Sequence, residues 1–341
     1  MLDHAGRVEK TFKAVDVGDG GDGRWAARVR EVAKESDPAK WLADEGRTPE
    51  GAVRAKELFA RHMPELLPVL ERLAAQVPEM RAGETLLTHA AAKPFWSGCT
   101  QTARPGRLLR NYDFPPEACE GTIVRSHFLR PVIGMQDGAW GLLDGMNDAG
   151  LAVSLTFGGR FVHGPGLSIL IALRYLLETC TTVDEAVERL RALPICIPQN
   201  VTLTDPDRAV TVQVGPDIPL TVDPDPVACA ANHQLAAPVS PEQEAGSRTL
   251  ARVAAIRAAG PDTPVATMLR PPLHRREYDE GFGTLYTADY RPTDGEVGYH
   301  WPDTEPWTQS FAAFHEGART IELAPAPALP EPAVTPASSA D

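Results

Sequence analysis

Hydrophobic positions along the chain change their spacing near residue 98. Over residues 49–76 they recur with a helical period, broken where Pro64 and Pro68 remove backbone donors, and a short strand is predicted over 11–17. Beyond residue 98, short β-type runs alternate with Pro-Gly and Asn/Asp/Gly turns, which predicts many strands. These runs are CTQTAR, RLLRNYDF, GTIVRSHFL, LLDGMN, LAVSLTF, VTLTD, AVTVQV and TLYTADY.

Three later stretches have the period of helices. They cover residues 166–180, 183–193 and 247–259, and the second follows Thr182 with Glu185 three positions on, which is a capping pattern. Strands and helices come in groups without regular βαβ alternation. This arrangement favours an α+β fold with antiparallel sheets, and a four-layer helix–sheet–sheet–helix (αββα) sandwich satisfies it.

The change of texture also divides the chain. We expect a mostly helical segment over 1–98, a strand-rich domain over 99–322, and a Pro/Ala-rich tail over 323–341. The tail has no apolar period and cannot bury enough surface to offset its ordering entropy, so it is predicted to be disordered. A chain of 341 residues has ample material for a core without disulfide or metal support.

Composition and charge narrow the range of partners. The net charge of -13 comes without a polybasic block, so binding to a nucleic-acid backbone has little electrostatic support. No segment is apolar over the roughly twenty residues that a membrane span needs, and the amino terminus does not have the pattern of a signal peptide. We therefore expect a cytoplasmic protein that binds neither nucleic acid nor membrane.

The cysteines and histidines indicate neither a disulfide framework nor a metal site. The chain has five widely spaced cysteines with no Cys-x-x-Cys pair, and its nine histidines lack any ligand spacing. We expect no metal and no cofactor. The cysteines are then of interest as nucleophiles.

Cys99 stands out because of the residues that flank it. Gly98 has no side chain to obstruct a nucleophile at position 99, and Pro105-Gly106 suits a tight hairpin turn that folds the following strand back toward Cys99. That strand carries Arg110, whose permanent positive charge favours a thiolate, and Asp113, which can orient an amine. If Cys99 became an amino terminus, its own amine could act as general base.

The residues alone leave plainer interpretations open. A cysteine in a strand is more often a small buried hydrophobe, and an Arg-x-x-Asp pair is more often a structural ion pair. Arg110 and Asp113 also lie three positions apart, so that in a regular strand they face opposite sides. They converge only if the strand bends or ends, and Pro115-Pro116 makes an ending plausible.

The order of motifs resembles a known family. Gly98-Cys99-Thr100 followed by RNYDF (110–114) is similar to the nucleophile hairpin of choloylglycine hydrolases, acid ceramidases and isopenicillin N acyltransferases. These are N-terminal-nucleophile (Ntn) enzymes. The similarity continues through GMNDAGLAV, TVDEA, NVTLTD, ANH, SR and GTLYT, in the same order over about residues 95–300.

The resemblance implies an activity and a set of roles. It implies cleavage between Gly98 and Cys99, after which Cys99 forms an acyl-thioester and cleaves or forms a linear amide bond. Asn232 is implied as an oxyanion donor and Arg248 as a supporting residue of the site. The helical segment before Cys99 is implied to stay bound after cleavage, as in the acyltransferase-like branch.

The expected substrate is a small acyl-amide or acyl-thioester. The resemblance places its pocket near Met135, Phe157 and the residues Phe114, Trp140, Asn147 and Thr156, with Thr156 where several bile-salt-type members have an oxyanion asparagine. A homo-oligomer is compatible with the sequence.

Two other functions remain as alternatives. Cys99 with His233 is the minimum of a papain-like dyad, although no papain-type signature surrounds Cys99. The chain could also be a non-catalytic binding protein on the same fold. His163 is interpreted as a turn residue, and Asn200 as a structural residue of a strand.

Overall fold

The computed structural model describes residues 7–35, 38–80, 82–90, 92–95 and 98–325. Along this part of the chain the strands are β1 (Val8–Asp16), β2 (Gly98–Arg104), β3 (Arg107–Phe114), β4 (Thr122–His127), β5 (Pro131–Asp137), β6 (Gly141–Asn147), β7 (Ala152–Phe157), β8 (Gln199–Thr204), β9 (Ala209–Gly215), β10 (Ile218–Val222), β11 (Ala228–Ala230), β12 (Gly283–Arg291), β13 (Glu296–Trp301), β14 (Thr304–Ser310) and β15 (Gly317–Leu323). The predicted disorder of the tail stays a prediction, because residues 326–341 lie outside the described ranges.

The helices of the same ranges fall into an early and a late group. They are α1 (Arg24–Glu35), α2 (Pro49–His62), α3 (Leu67–Ala74), α4 (Gly83–Thr88), α5 (Ile169–Thr179), α6 (Val183–Arg191), α7 (Pro241–Ser247), α8 (Thr249–Ala259) and α9 (Val265–Met268). No helix among these is long and apolar enough to cross a membrane.

The strands form two sheets that pack face to face. One has nine strands in the order β10-β9-β8-β7-β6-β5-β4-β1-β15, and the other has six in the order β11-β2-β3-β12-β13-β14. Neighbouring strands are antiparallel except for the pair β1 and β4. Strands β2 and β3 contact β7 and β8 across the space between the sheets.

Helices cover both outer faces. Helix α5 packs on β5, β6 and β7, and α8 and α9 pack on β2, β3, β11 and β12 of the other sheet. Helix α5 is buried along nearly its whole length, and most of its positions are apolar. The α+β, four-layer αββα fold predicted from the sequence is therefore confirmed.

Local signals explain several element ends. Thr48 caps α2 by accepting a hydrogen bond from Gly51 N, and the helical stretch breaks at Met63, directly before Pro64. Thr182 caps α6 by accepting from Glu185 N. The helical prediction over 49–76 and its break at Pro64 are confirmed.

The first segment of the chain is joined to the rest through a sheet. Strand β1 lies between β4 and β15, so the chain before residue 98 supplies an internal strand of the nine-stranded sheet. Tryptophans strengthen this junction from both sides, since Trp25 Nε1 donates to Ala139 O at 2.9 Å and Trp140 Nε1 donates to Leu87 O at 2.8 Å. The described part of the chain before residue 98 thus packs against the sandwich and supplies one of its strands.

The hairpin of β2 and β3 places the candidate site. Gly106 has φ +74°, which suits the two-residue turn between Arg104 and Arg107. The regular pairing that follows sets Gly98 opposite Asp113 and Cys99 opposite Tyr112. Since side chains alternate along each strand, one face of this hairpin looks into the space between the sheets and the other looks toward α8.

Candidate active site

Cys99 is completely buried at the second position of β2 and is contacted at three groups. Its Sγ lies 3.4 Å from Arg110 Nη2, its N–H donates to Asn232 Oδ1 at 3.1 Å, and its carbonyl accepts from Arg252 Nη1 at 2.7 Å. Thiol, amide and carbonyl are thereby each held by a different residue. Backbone and side chain of Cys99 are both fixed before any chemistry begins.

Arg110 lies between the two sheets and is fully buried. Its Nη1 donates to Asp144 and, at 3.0 Å, to Tyr286 OH, while Nε donates to Leu155 O at 3.1 Å. Burial works against the charged guanidinium, but the nearby Tyr286, Cys99 and Asp144 groups more than offset it and raise the pKa of Arg110. Arg110 is therefore a fixed cation beside the thiol.

Asp113 lies on the other face of β3. Its carboxylate accepts from Thr284 Oγ1 at 2.7 Å and from Arg252 Nη1 at 3.3 Å. Burial raises the pKa of Asp113 to about 6, and the Arg252 charge and the Thr284 hydrogen bond oppose that rise only in part. The strand stays regular to Phe114, so the predicted convergence of Arg110 and Asp113 on one side of Cys99 does not occur.

The arginine that reaches Cys99 from helix α8 is Arg252. Its Nη1 also donates to Thr100 Oγ1 at 2.8 Å, and its Nη2 donates to Asn232 Oδ1. Arg248, the arginine named from the sequence, has φ +52° at the junction of α7 and α8, and its half-exposed side chain pairs with Glu277. The structure does not bring Arg248 to Cys99.

A spacing signal could have identified Arg252. The buried positions of α8 are Thr249, Arg252, Val253 and Ile256, which share one face of a helix. Arg252 thus falls within the apolar stripe of the helix, where an arginine is buried only with partners. Asp144 gave no comparable signal, because a single aspartate within the apolar run LLDGMN does not reveal which residue it pairs with.

Asn232 is held in place by its neighbours on all sides. Its N–H donates to Thr249 Oγ1 at 2.7 Å and its Nδ2 donates to Phe157 O at 3.1 Å. Asn200 Nδ2 donates to the carbonyls on both sides of Asn232, those of Ala231 at 2.9 Å and His233 at 3.1 Å. Asn200 therefore holds this loop, in agreement with the structural role expected for it.

Thr156 belongs to the same support. Its Oγ1 donates to Ala231 O at 2.7 Å and accepts from Asn200 Nδ2 at 3.1 Å. The hydroxyl is engaged with the loop that carries Asn232. In this arrangement Thr156 positions Asn232 rather than facing a substrate.

The other residues predicted for a pocket separate into two groups. Phe114 stacks on Tyr112, opposite Cys99, with ring centroids 5.4 Å apart, and Phe157 lines a cleft beside Asn232. Asn147 instead closes the β6–β7 turn, where its Oδ1 accepts from Ala149 N and its Nδ2 donates to Leu177 O. Trp140 packs beneath the early helices against Phe59, so neither residue is brought to the site.

A cleft with a volume of about 630 Å³ lies beside Gly98, the residue that precedes Cys99. Gly98 and Asn232 form part of its wall, and three phenylalanine side chains also line it. These are Phe157, Phe161 and Phe282. A substrate acyl group has an apolar surface to contact next to the candidate nucleophile.

Burial makes the remaining cysteines poor nucleophiles. It raises the pKa of the Cys119 and Cys196 thiols to about 12 and that of Cys229 to about 11, and it also raises the pKa of Cys180. Thiolates are scarce at such values near neutral pH.

His233 lies next to the start of α8. The ring Nδ1 of His233 lies 2.8 Å from Thr249 Oγ1, at the start of α8, and burial lowers the pKa of the ring. Within the described ranges, no group of three His, Cys, Asp or Glu side chains is arranged to hold a metal ion. Arg110, Asn232 and Arg252 supply polar side-chain contacts to Cys99.

Two facing antiparallel sheets between helical layers, with the candidate nucleophile early in a central strand, form the fold of the N-terminal-nucleophile hydrolases. Residues 100–306 match the model of the family described as acyl-coenzyme A:6-aminopenicillanic acid acyl-transferase. That span exceeds half of the 341 residues. The chain belongs to this family, and it is thereby placed among enzymes of acyl transfer.

Solved structures of low sequence identity are also similar. A mutant of conjugated bile acid hydrolase from Clostridium perfringens is 12% identical, with 66% of this chain and 96% of that chain covered and a TM-score of 0.43. A Caenorhabditis elegans ortholog of N-acylethanolamine-hydrolyzing acid amidase is 14% identical, with 65% and 99% covered and a TM-score of 0.44. Penicillin V acylase from Agrobacterium tumefaciens is 14% identical, with 66% and 82% covered and a TM-score of 0.33. A comparison with curated proteins gave no match.

Proposed function

We propose that the chain is an autoproteolytic cysteine enzyme that forms an acyl-thioester on Cys99 and passes the acyl group to water or to an amine. One observation carries the proposal. Arg110 lies at the Sγ of Cys99, Asn232 at its N–H and Arg252 at its carbonyl, so that every reacting group of this residue has a polar partner. The other four cysteines have thiols whose pKa is raised by burial.

The first reaction acts on the chain itself. Cys99 Sγ attacks the carbonyl carbon of Gly98, the bond from that carbon to Cys99 N breaks, and the thiol proton ends on the new amine. Water then adds to the thioester, which gives a carboxylate at Gly98 and returns the thiol. The products are a free amino terminus at Cys99 and a separate segment 1–98.

Turnover repeats the same chemistry on a substrate. Cys99 Sγ attacks the acyl carbonyl of an amide or thioester, the bond to the leaving group breaks, and the amine of Cys99 delivers a proton to that leaving group. The Asn232 amide and a backbone N–H stabilise the oxyanion, and one such donor contributes about 2.7 to 4 kcal/mol. Water or an acceptor amine then takes the acyl group and restores the thiol.

The segment before Cys99 is proposed to remain bound after cleavage. Strand β1 pairs with β15 along seven residue positions and with β4 along four, and Trp25 and Trp140 hydrogen-bond across the junction. Cutting one peptide bond at residue 98 removes none of these interactions. The matured enzyme is thus expected to be a complex of two chains.

The decisive experiment follows cleavage and acylation in one preparation. Intact mass after expression is expected to show fragments that meet at Gly98 and Cys99, and an acyl donor such as a short-chain acyl thioester is expected to add its acyl mass to Cys99. Cys99→Ala should abolish both, whereas Cys229→Ala should retain both. Cleavage that persists in Cys99→Ala would refute the proposal.

The same preparation separates the alternatives. A papain-like Cys/His enzyme would become acylated at Cys99 without any cut at Gly98, and it would lose activity in His233→Ala. A binding protein on this fold would be neither cut nor acylated.

Asn232→Ala is expected to reduce turnover by about 100-fold or more through loss of an oxyanion donor, with the loss in kcat.

A further inference from the structure

The side of Gly98 on which a side chain would stand faces the edge of an aromatic ring. A Cβ added at Gly98 would lie 3.0 Å from Phe282 Cζ and 3.3 Å from Phe282 Cε1, with Asp113 Cβ at 3.6 Å on the other side. Carbon atoms prefer separations of about 3.5 to 4.0 Å. Gly98 does not have the positive φ that restricts a position to glycine, so what opposes a side chain there is the Phe282 ring, which would have to shift by a few tenths of an ångström.

The surroundings of Gly98 indicate which substrate acyl groups fit the site. This inference rests on the proposed function. Self-cleavage and turnover pass through the same thioester bond, which joins a carbonyl carbon to Cys99 Sγ. Gly98 supplies that carbonyl in the first reaction and the substrate supplies it in the second. The α-carbon of a substrate acyl group is therefore expected to lie close to the place that the α-carbon of Gly98 occupies in the uncut chain.

Phe282 is held firmly in this position. The guanidinium of Arg275 lies 4.9 Å from the ring centroid, and Arg275 is itself anchored by Glu277 at 3.4 Å and by its N–H to Thr284 Oγ1 at 2.8 Å. Thr284 in turn donates to Asp113. Through Arg275 the ring is linked to Thr284 and Asp113, and these contacts restrain it.

We propose that the enzyme selects acyl groups whose α-carbon is unbranched, and that Phe282 makes this selection. Beyond the α-carbon the cleft widens to the rings of Phe157 and Phe161, which suit a straight alkyl chain or an aryl group at a distance from the carbonyl. A methyl branch at the α-carbon meets the Phe282 ring where a Cβ on Gly98 would. Overpacking of this kind disfavours the branched donor by about 10- to 100-fold.

The test compares two donors that differ by one methyl group. The hexanoyl and 2-methylhexanoyl thioesters of N-acetylcysteamine are offered to the processed enzyme, and the rate of thiol release and the mass added to Cys99 are measured. The hexanoyl donor is expected to react about 30-fold faster. Phe282→Leu should reduce that ratio to about threefold, whereas Phe311→Leu should leave it unchanged, since Phe311 follows β14 at the far edge of the six-stranded sheet.

A second measurement needs no substrate. Gly98→Ala places the same methyl branch on the acyl part of self-cleavage and is expected to slow cleavage by about 10-fold or more, and Phe282→Leu in that background should restore it. Equal rates for the two donors, or a ratio unaffected by Phe282→Leu, would overturn the inference alone. A folded enzyme that takes no acyl mass on Cys99 from either donor would overturn the proposed function as well.

Discussion

Arg110 donates a hydrogen bond from Nη1 to Asp144 Oδ2 in the space between the two sheets, where both side chains are completely buried. Two tyrosine hydroxyls also donate to Asp144, Tyr286 at 2.7 Å and Tyr290 at 2.5 Å. Asp144 therefore balances the charge of Arg110 and fixes its orientation, while the other end of the guanidinium points at Cys99 Sγ. The position of the cation beside the thiol depends on a carboxylate of the opposite sheet.

Replacing Asp144 should therefore destabilise the whole sandwich. Asp144→Asn leaves the Arg110 charge buried without its counter-charge, and removing one partner of a buried pair costs about 3 to 5 kcal/mol. We expect urea unfolding to show a loss of that size. Asp148→Asn, whose partner Arg130 is 3.8 Å away and whose side chain is 45% exposed, is the control and should change stability by less than about 1 kcal/mol. A similar small loss for both variants would contradict the role given to Asp144.

Two arginines one helical turn apart should behave differently. Arg252→Lys loses the planar fork that serves Cys99 O, Asp113 and Asn232 together, and lysine cannot reproduce it. We expect cleavage at Gly98 to slow by about 100-fold or more, as for loss of a site hydrogen-bond donor.

The matched control is Arg248→Lys, measured by the same time course of intact mass. Arg248 is half-exposed and pairs only with Glu277 among its described contacts. Its cleavage rate should stay within about twofold of the original chain. The opposite order of effects would show that the resemblance had named the right arginine.

The contrast between these arginines shows which features of the structure can be predicted from the sequence. Turn residues such as Pro105-Gly106 and the period-2 runs were sufficient to predict the hairpin of β2 and β3, its boundaries and the neighbours of Cys99 within it. Those interactions are local in the chain. Strands β5, β10, β11, β13, β14 and β15 were not predicted. Of these, β11 and β15 form through pairing with β2 and β1, which are distant in the chain, whereas β5, β10, β13 and β14 pair with strands next to them in the chain.

The residues that act at the site from distant parts of the chain were likewise harder to predict from the sequence. Arg110 and Asn232 were predicted because a motif carried them. Asp144 and Arg252 act on residues more than 30 and 150 positions away in the chain, respectively. The local sequence pattern does not indicate which buried charged side chains pair with each other. The packing of two sheets and one helix decides those pairs.

Asp113 should give self-cleavage a pH dependence. Burial raises its pKa to about 6, so the carboxyl is neutral below that pH and ionised above it. Only the ionised form attracts Arg252, which holds Cys99 O and Asn232. We expect the cleavage rate to rise between pH 5 and 7 with an apparent pKa near 6. Asp113→Asn should remove that inflection, and an inflection that persists in this variant would assign it to another group.

His89 should make the fold sensitive to acid. Its ring Nε2 lies 2.9 Å from Gly138 O in a nearly closed site, and burial lowers its pKa from 6.5 to about 4, although the Gly138 carbonyl opposes this. The unfolded chain therefore takes up the proton first as the pH falls. The stability that His89 contributes is fully present above about pH 6.5 and is lost as the pH falls through 4, by about 3 kcal/mol in total.

His89→Gln removes this titration while keeping a side-chain donor for Gly138 O. In urea unfolding at pH 7 and pH 4, the loss of stability on acidification should be smaller by about 3 kcal/mol in His89→Gln than in the original chain. His127→Gln, at an exposed position at the end of β4, should leave the loss unchanged. The strands β5 and β6 and the early helices meet at His89. An equal loss of unfolding free energy on acidification in all three proteins would mean that this junction remains folded when the rest of the fold unfolds.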